Sequence, residues 1–204
     1  MANRPDDIIR SAYRVMARRG SHRHSLQDIA TEAGVSKGLL LYHFGTKDNL
    51  LLATMRWALQ GTAERIRRRM ARASGSEQTI AALIEAVFVN PQANRDFYMF
   101  YLDLLEHQAR VPSFRTLSEM LEEMINGLYA DVIQRGQDDG VFAVDEVRLA
   151  ARHMRALIEG TFLQWLQSDD WEKSHARWRD DCRDALMVLL GARPLTAART
   201  RPRP

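Results

Sequence analysis

An all-helical fold is predicted by three features of this 204-residue chain. Apolar residues recur at spacings of three and four along most of its length, and no alternating strand pattern interrupts them. Turn signals at Ser74-Gly75-Ser76, Asn90-Pro91, Pro112 and the run from Gln137 to Gly140 cut that periodicity into segments of helical length. The stretch from Ser25 to Leu52, SLQDIATEAGVSKGLLLYHFGTKDNLLL, reads as a short capped helix, a glycine turn, a second short helix, a break and the start of a long helix. About nine helices follow from these signals, in a three-helix N-terminal unit and a larger helical body.

Pro5 is a good helix starter, and Ile8, Ile9, Ala12, Tyr13 and Met16 fall at helical spacing before Gly20. Ser25 and Asp28 form a capping box ahead of Leu26, Ile29, Ala30 and Ala33. Gly34 supplies the left-handed residue that ends this helix. Val35 is apolar and can plug the space before the next one. Ser36 caps a short helix over residues 37–44, which Gly45 breaks. Thr46 then caps a long helix over 47–73, with Leu50, Leu51, Met55, Ala58, Leu59, Ile66 and Met70 as its apolar set. Helices as short as the second and third persist only when packed, and the first helix supplies the face for them.

Further helices are predicted over 77–89, 95–109, 113–135, 144–167 and 171–190. The residue before a proline avoids helical backbone, which places a break at Asn90-Pro91. The tail ARPLTAARTRPRP is rich in proline and arginine and predicted to be disordered. The organisation expected is an N-terminal unit over 1–50, a helical body over 51–191 and a basic tail over 192–204.

The net charge of +3 hides an asymmetry. Residues 1–72 hold 14 Lys and Arg against 6 Asp and Glu, residues 73–191 hold 11 against 20, and the tail holds 4 against none. A basic module fused to an acidic one suits a partner that presents phosphates to one end only. The run Arg65, Arg67, Arg68, Arg69 and Arg72 fits two roles equally well, a solvated helix face or a surface toward DNA. No run of residues is long enough for a membrane helix and no leader pattern opens the chain, so a cytoplasmic protein with no membrane partner is expected. Cys182 stands alone, which excludes a disulfide framework and reads as a small buried or interface residue. The six histidines are scattered, His22 and His24 in a loop. No nucleophile motif or phosphate loop is present, so no metal, cofactor or catalytic site is expected.

The grammar of residues 25–52 is that of a helix-turn-helix DNA reader. The stretch AGVSKGLLLYHFGTKDNLL resembles the DNA-binding signature of the TetR family, usually near AGVSKGTLYYHFKSKEEL, over about fifty N-terminal residues and without a gap across the turn. The resemblance implies an all-helical homodimer with an N-terminal three-helix reader and a C-terminal domain that binds a small molecule and dimerises. Where the family often has Tyr this chain has Leu41, so Tyr42 is the aromatic expected at a DNA phosphate. Where the family often has Thr it has Leu39, which can meet a thymine methyl but donates no hydrogen bond. Lys37, Gly38, Leu39 and Tyr42 are expected on the outward face of the second short helix, and Leu40 and Phe44 in the core. Ser36, Tyr42, His43 and Lys47 are expected near phosphates, with Ser25 at the start of the preceding helix also assigned to DNA, and Gln27 fits either a base-edge contact or a solvated polar residue.

From Phe97 to Leu166 a fainter resemblance continues. Phe97, Tyr98, Phe100 and Tyr101, the turn with Gly140 and Phe142, and LIEGTFLQWL look like the C-terminal domain of BetI-type members. Tyr98, Tyr101, Met124, Phe162 and Trp165 are candidate walls of an effector pocket, with His107, and also His153 and Glu106, as polar points. Trp165→Ala is therefore expected to cost the response to ligand rather than stability. Leu157, Thr161, Ala185, Met187 and Leu189 supply small and apolar positions on the last two helices for a two-fold dimer interface.

The function read from these features is a one-component transcriptional regulator, a repressor that binds a near-palindromic operator as a dimer and is released by a small molecule. Two alternatives stay open at this point: a reader controlled by a protein partner, and an enzyme with a vestigial reader.

Overall fold

The computed structural model describes residues 5–19, 25–73 and 76–192. Helix α1 (Pro5–Arg19) starts on its proline and carries Asp6 and Asp7 in the first turn, where the helix dipole favours them. Ile8, Ala12 and Met16, one above another, are fully buried. Helix α2 (Leu26–Ala33) has the predicted capping box. The Asp28 N–H donates to Ser25 Oγ at 3.2 Å, and the Ser25 N–H donates back to the Asp28 carboxylate at 2.8 Å. Gly34, at φ 65°, closes it with its own N–H on the Thr31 carbonyl, followed by the Val35 N–H on the Ala30 carbonyl. In α3 (Lys37–Phe44) the Leu39 N–H donates to the Ser36 hydroxyl, and Gly45 at φ 71° ends the helix.

Helix α4 (Lys47–Met70) is 24 residues long and so spans about 36 Å at 1.5 Å per residue. Leu50, Met55, Leu59, Ala63 and Ile66 bury its inner face. It packs against α1 at one end and against α5 (Ser76–Val87) along the other, so one rigid rod belongs to both halves of the molecule. Helix α6 (Pro91–Arg110) starts four residues before the predicted Arg95. Proline at the first helical position loses only an N–H that has no partner anyway, and the Asn90 side chain caps the turn by accepting from the Ala93 N–H at 2.8 Å. The break was read correctly, but Pro91 opens the next helix instead of lying outside it.

After a 3-10 turn (Pro112–Arg115), helix α7 (Thr116–Leu121) passes through a π turn (Glu122–Asn126) into α8 (Gly127–Asp138) without leaving the helical path. Counting that path as one rod gives nine among the described residues. Helix α9 (Val147–Leu166) and α10 (Trp171–Leu189) lie against each other and against α8 and α5. Phe142 seats directly on Gly136, where a Cβ would lie 1.8 Å from its ring, so any larger residue there would push the α8–α9 connection away. The disorder expected for the tail concerns residues that, Ala192 apart, lie outside the described ones, as do His22, His24 and Ser74-Gly75.

Candidate DNA interface and effector cavity

At 100° per residue, a helix with Leu40 at the centre of its buried side places Leu39 and Leu41 on the flanks, and Gly38 and Tyr42 opposite. The structure follows that geometry. Leu40 is fully buried, Leu39 is half-buried, and Tyr42 is 83% exposed. Leu39 is thus on the flank of α3 and not on its outward face as expected from sequence. Lys37, Gly38 and Ser36 are exposed, as is Gln27 on α2, while His43 and Lys47 are half-buried. The His43 ring lies edge-on between Tyr42 and Phe44, at 5.4 and 6.2 Å. Ser25 is exposed and serves as the cap of α2. Its hydroxyl donates to Asp28 at 2.8 Å and accepts from the Asp28 N–H, so both its hydrogen-bonding directions close the cap of α2.

The arginine run divides. Arg69 reaches α5, pairing with Glu85 at 2.5 Å, and lies about 33 Å along α4 from Lys47. That separation removes it from the face of α3. Arg65 turns inward.

Between α1, α4, α6, the π turn and α9 lies a cavity of about 270 Å³. Its walls are aromatic: Tyr13 from α1, Trp57 from α4, Phe97, Tyr98 and Tyr101 from α6, and Tyr129 from α8. Leu121 and Ile125, which flank the start of the π turn, and Ile158 add aliphatic surface. Wide turns of this kind are common at functional sites because they re-aim side chains within a helix. The polar wall has Arg65, Thr62, Asn94, Arg155 and Glu159. The Arg155 Nε–H donates to Glu159 Oε1 at 2.7 Å, and the Tyr101 hydroxyl donates to the same oxygen at 2.9 Å. The Tyr101 phenol is pushed up from its ordinary value by burial first and then by the Glu159 charge, so it stays a donor. Burial likewise raises Tyr98 and Tyr129, and raises Tyr13 to about 12. Among the described residues the hydrogen-bond partners of Arg65 are neutral: it donates to Thr62 Oγ1 at 2.9 Å and to the Ala86 carbonyl at 3.5 Å. Burial lowers its pKa, the Tyr13 phenol raises it, and the Arg68 charge lowers it again.

Of the six pocket residues expected from sequence, Tyr98 and Tyr101 line this cavity and four do not. Phe162 is fully buried, with its ring stacked on Tyr98 at 4.2 Å and on Phe88 at 4.3 Å. Trp165 is fully buried behind it, with its indole N–H on the Trp171 carbonyl at 2.7 Å. Rings meeting face to face leave no space for a ligand, so these two are core. His107 stands 3.2 Å from Asp48 and edge-on to Phe114, outside the cavity. Met124 lies within the π turn but off the cavity wall. His153 is exposed, and Glu106 pairs with Arg110 at 2.9 Å. Sequence reasoning missed Tyr13, Trp57, Arg65, Tyr129, Arg155 and Glu159. The i, i+4 pair Arg155 and Glu159 on a helix full of buried positions was the available signal.

On α9 and α10 the expected interface residues Leu157, Thr161, Met187 and Leu189 are half-buried and Ala185 is exposed. The Thr161 hydroxyl donates to the Leu157 carbonyl at 2.8 Å. Beside them Leu149, Leu163 and Val188 are exposed, Val188 to 83%.

An exposed recognition helix on a basic three-helix unit, with a walled cavity in the attached helical body, defines a ligand-sensing DNA-binding regulator. Residues 8–54 match the family described as bacterial regulatory proteins, tetR family, and residues 76–191 match BetI-type transcriptional repressor, C-terminal. The chain belongs to the TetR family of transcriptional regulators, with a C-terminal domain of the BetI type. It is 28% identical over 155 residues to the HTH-type transcriptional repressor KstR2 of Rhodococcus jostii, covering 76% of each chain. It is 29% identical over 164 residues to the HTH-type transcriptional regulator BetI of Brucella suis, covering 78% of this chain and 77% of that one. A transcriptional regulator from Saccharomonospora viridis, solved in complex with choline, superposes with a TM-score of 0.75 at 26% identity, over 88% of this chain and 93% of that one. The fatty acid degradation regulator FadR of Bacillus halodurans shares the fold, with a TM-score of 0.78 at 21% identity, over 93% of this chain and all of that one. These relatives are named as regulators of transcription, and no helix among the described residues is long and apolar enough to cross a membrane.

Proposed function

We propose that this chain acts as a homodimeric repressor whose cavity takes a small-molecule effector that releases it from a near-palindromic operator. The observation that carries this reading is the composition of the cavity wall. Tyr13 belongs to the first helix of the reader and Trp57 to the rod that carries the reader, while Tyr98, Tyr101 and Glu159 belong to the body. A molecule between them touches both halves at once. It shifts the equilibrium only if it fits two arrangements of these walls unequally. Contact with α1 and α4 gives it the means to do so.

On the DNA side, Gly38 and Tyr42 form the outward pole of α3 and Lys37 is exposed at its first turn, with Gly38 allowing close approach in the major groove. Ser36, His43, Lys47 and the Tyr42 hydroxyl are assigned to the backbone phosphates, and Gln27, exposed on α2, to a base edge. Dimerisation is assigned to the outer face of α9 and α10, where Leu149, Leu163, Ala185 and Val188 extend the half-buried set Leu157, Thr161, Met187 and Leu189. Large apolar side chains exposed on two adjacent helices suit a paired surface.

Selection of bound sequences from a random duplex pool at low salt tests the reading. A two-fold-related pair of half-sites, one helical turn or a small multiple apart, is the expected result. Recovery of no enriched sequence would overturn it. A protein-partner control has no comparable support, because a partner would not need a walled aromatic cavity.

A further inference from the structure

The cavity has a charge that the fold does not balance. Arg155 is matched by Glu159 at 2.7 Å, and Glu159 is further held by the Tyr101 hydroxyl. Arg65 is half-buried in the same wall, where it donates to Thr62 Oγ1 and to the Ala86 carbonyl and is biased by the Tyr13 phenol and the like-charged Arg68. Asp96, the acid that biases Tyr13, accepts from the Gln92 amide at 2.7 Å. The lining therefore carries one net positive charge in a largely aromatic chamber. Taking a guanidinium out of water without an anion is unfavourable, and a carboxylate matches its planar fork with two parallel hydrogen bonds.

We propose that the effector is a small organic monocarboxylate whose carboxylate pairs with Arg65 and whose apolar body lies among Trp57, Phe97, Tyr98 and Tyr101. This rests on the reading of the cavity as the effector site. The Tyr13 phenol, kept protonated by burial, is a donor on the reader's own helix for the second carboxylate oxygen. The volume sets the size. At about 30 Å³ per water-sized group, 270 Å³ holds roughly nine such groups. A monocyclic aromatic acid or a short branched-chain acid fits within that volume. The same charge count disfavours a quaternary ammonium. Aromatic faces attract a cation, but Glu159, the one carboxylate among the described lining residues, already has its cation in Arg155, and Arg65 would repel a second one.

The test is calorimetric titration of the full chain with a panel of probes: benzoate, phenylacetate and isovalerate, the neutral 2-phenylethanol, and the cations choline and phenyltrimethylammonium. At least one carboxylate should bind ten-fold or more tightly than 2-phenylethanol, and the cations should bind more weakly still. Arg65→Gln, checked for helix content by circular dichroism, should abolish the preference for the carboxylate over the alcohol. If that variant fails to fold, Arg65→Lys serves instead: it keeps the charge, loses the fork, and should weaken carboxylate binding several-fold. Equal binding of acid and alcohol, tighter binding of a cation, no binding by any carboxylate, a preference that survives Arg65→Gln, or carboxylate binding unchanged in Arg65→Lys would each overturn the proposal. Operator release is measured separately, by fluorescence anisotropy of a labelled duplex. A carboxylate that binds through Arg65 yet releases no DNA would leave the ligand class standing and overturn the effector reading of the cavity.

Discussion

Tyr13 meets Trp57 edge-on, with ring centroids 5.6 Å apart, and both rings face the cavity. On its other side Tyr13 meets Phe100 of α6 edge-on at 6.0 Å. The first helix of the reader is thereby wedged between the carrying rod α4 and the cavity-lining helix α6. Edge-to-face pairs contribute about 0.5–1.5 kcal/mol each beyond burial. A ligand that moves Trp57 or Phe97 has a short mechanical route to the reader through this pair of contacts.

Tyr13→Leu should keep the apolar volume and lose the edge-on contacts. The factor by which an effector weakens operator binding, typically about 5- to 150-fold in coupled systems, should shrink toward one. Anisotropy of a labelled operator with and without effector reads this directly. An unchanged factor would route the coupling elsewhere.

Tyr42→Ala removes an exposed side chain, so stability should stay within about 0.5 kcal/mol of the parent. DNA affinity should fall about tenfold and by similar amounts on all sequences, as for a phosphate contact. Lys47→Ala should do likewise and lower the salt slope by about one phosphate contact. Loss of specificity without loss of nonspecific affinity would instead place Tyr42 on a base edge.

The double substitution Ala185→Arg with Val188→Arg introduces two charges on the outer face of α10, three residues apart and so one above the other. Sedimentation should show a monomer, and operator binding should be lost with the dimer. Thr161 is a poorer probe than the sequence suggested, because its hydroxyl already bonds the Leu157 carbonyl inside the helix. An intact dimer in the double variant would move the interface away from α9 and α10.

Trp165→Ala should destabilise the protein by about 3–5 kcal/mol, as deletion of a large buried aromatic does, and remove the indole hydrogen bond that ties α9 to the start of α10. Effector affinity of the folded fraction should change little. Urea denaturation measures the first and calorimetry the second. This reverses the expectation from sequence, in which Trp165 faced the ligand.

His175 predicts an acid-sensitive step. Its Nε2 is 2.9 Å from Asn94 Oδ1, and the Asn94 amide donates to the Val87 carbonyl, so that oxygen is the acceptor and the imidazole Nε2–H the donor. Burial first, and then Arg179, hold the imidazole below its ordinary pKa. The unfolded chain takes up a proton there more readily than the folded one. The contribution to stability is therefore present above the ordinary value of about 6.5 and is lost as pH falls through the lower folded value. The thermal midpoint should drop between about pH 7.5 and pH 5.5 by more in the parent than in His175→Gln. Equal drops would show that other groups carry the acid sensitivity.

The reader was legible because its signals are local. A capping box needs two residues three apart, a C-cap needs one glycine, and the periodicity of an eight-residue helix needs only its own side chains. Ser25, Gly34, Ser36 and Gly45 do in the structure what their positions required. The cavity was half legible. Tyr98 and Tyr101 are on its wall, but Phe162 and Trp165 have the same composition and the same helical spacing and are core. An aromatic on a helix meets either a ligand or another ring, and which one depends on the rotation and offset of a neighbouring helix. Those are properties of packing between segments far apart in the chain. The same reason hid Arg65 within a run of surface arginines. Local chemistry set the helices, their caps and the outward pole of α3. The long-range packing of α1, α4, α6 and α9 set where volume was left unfilled and which charge was left to face it.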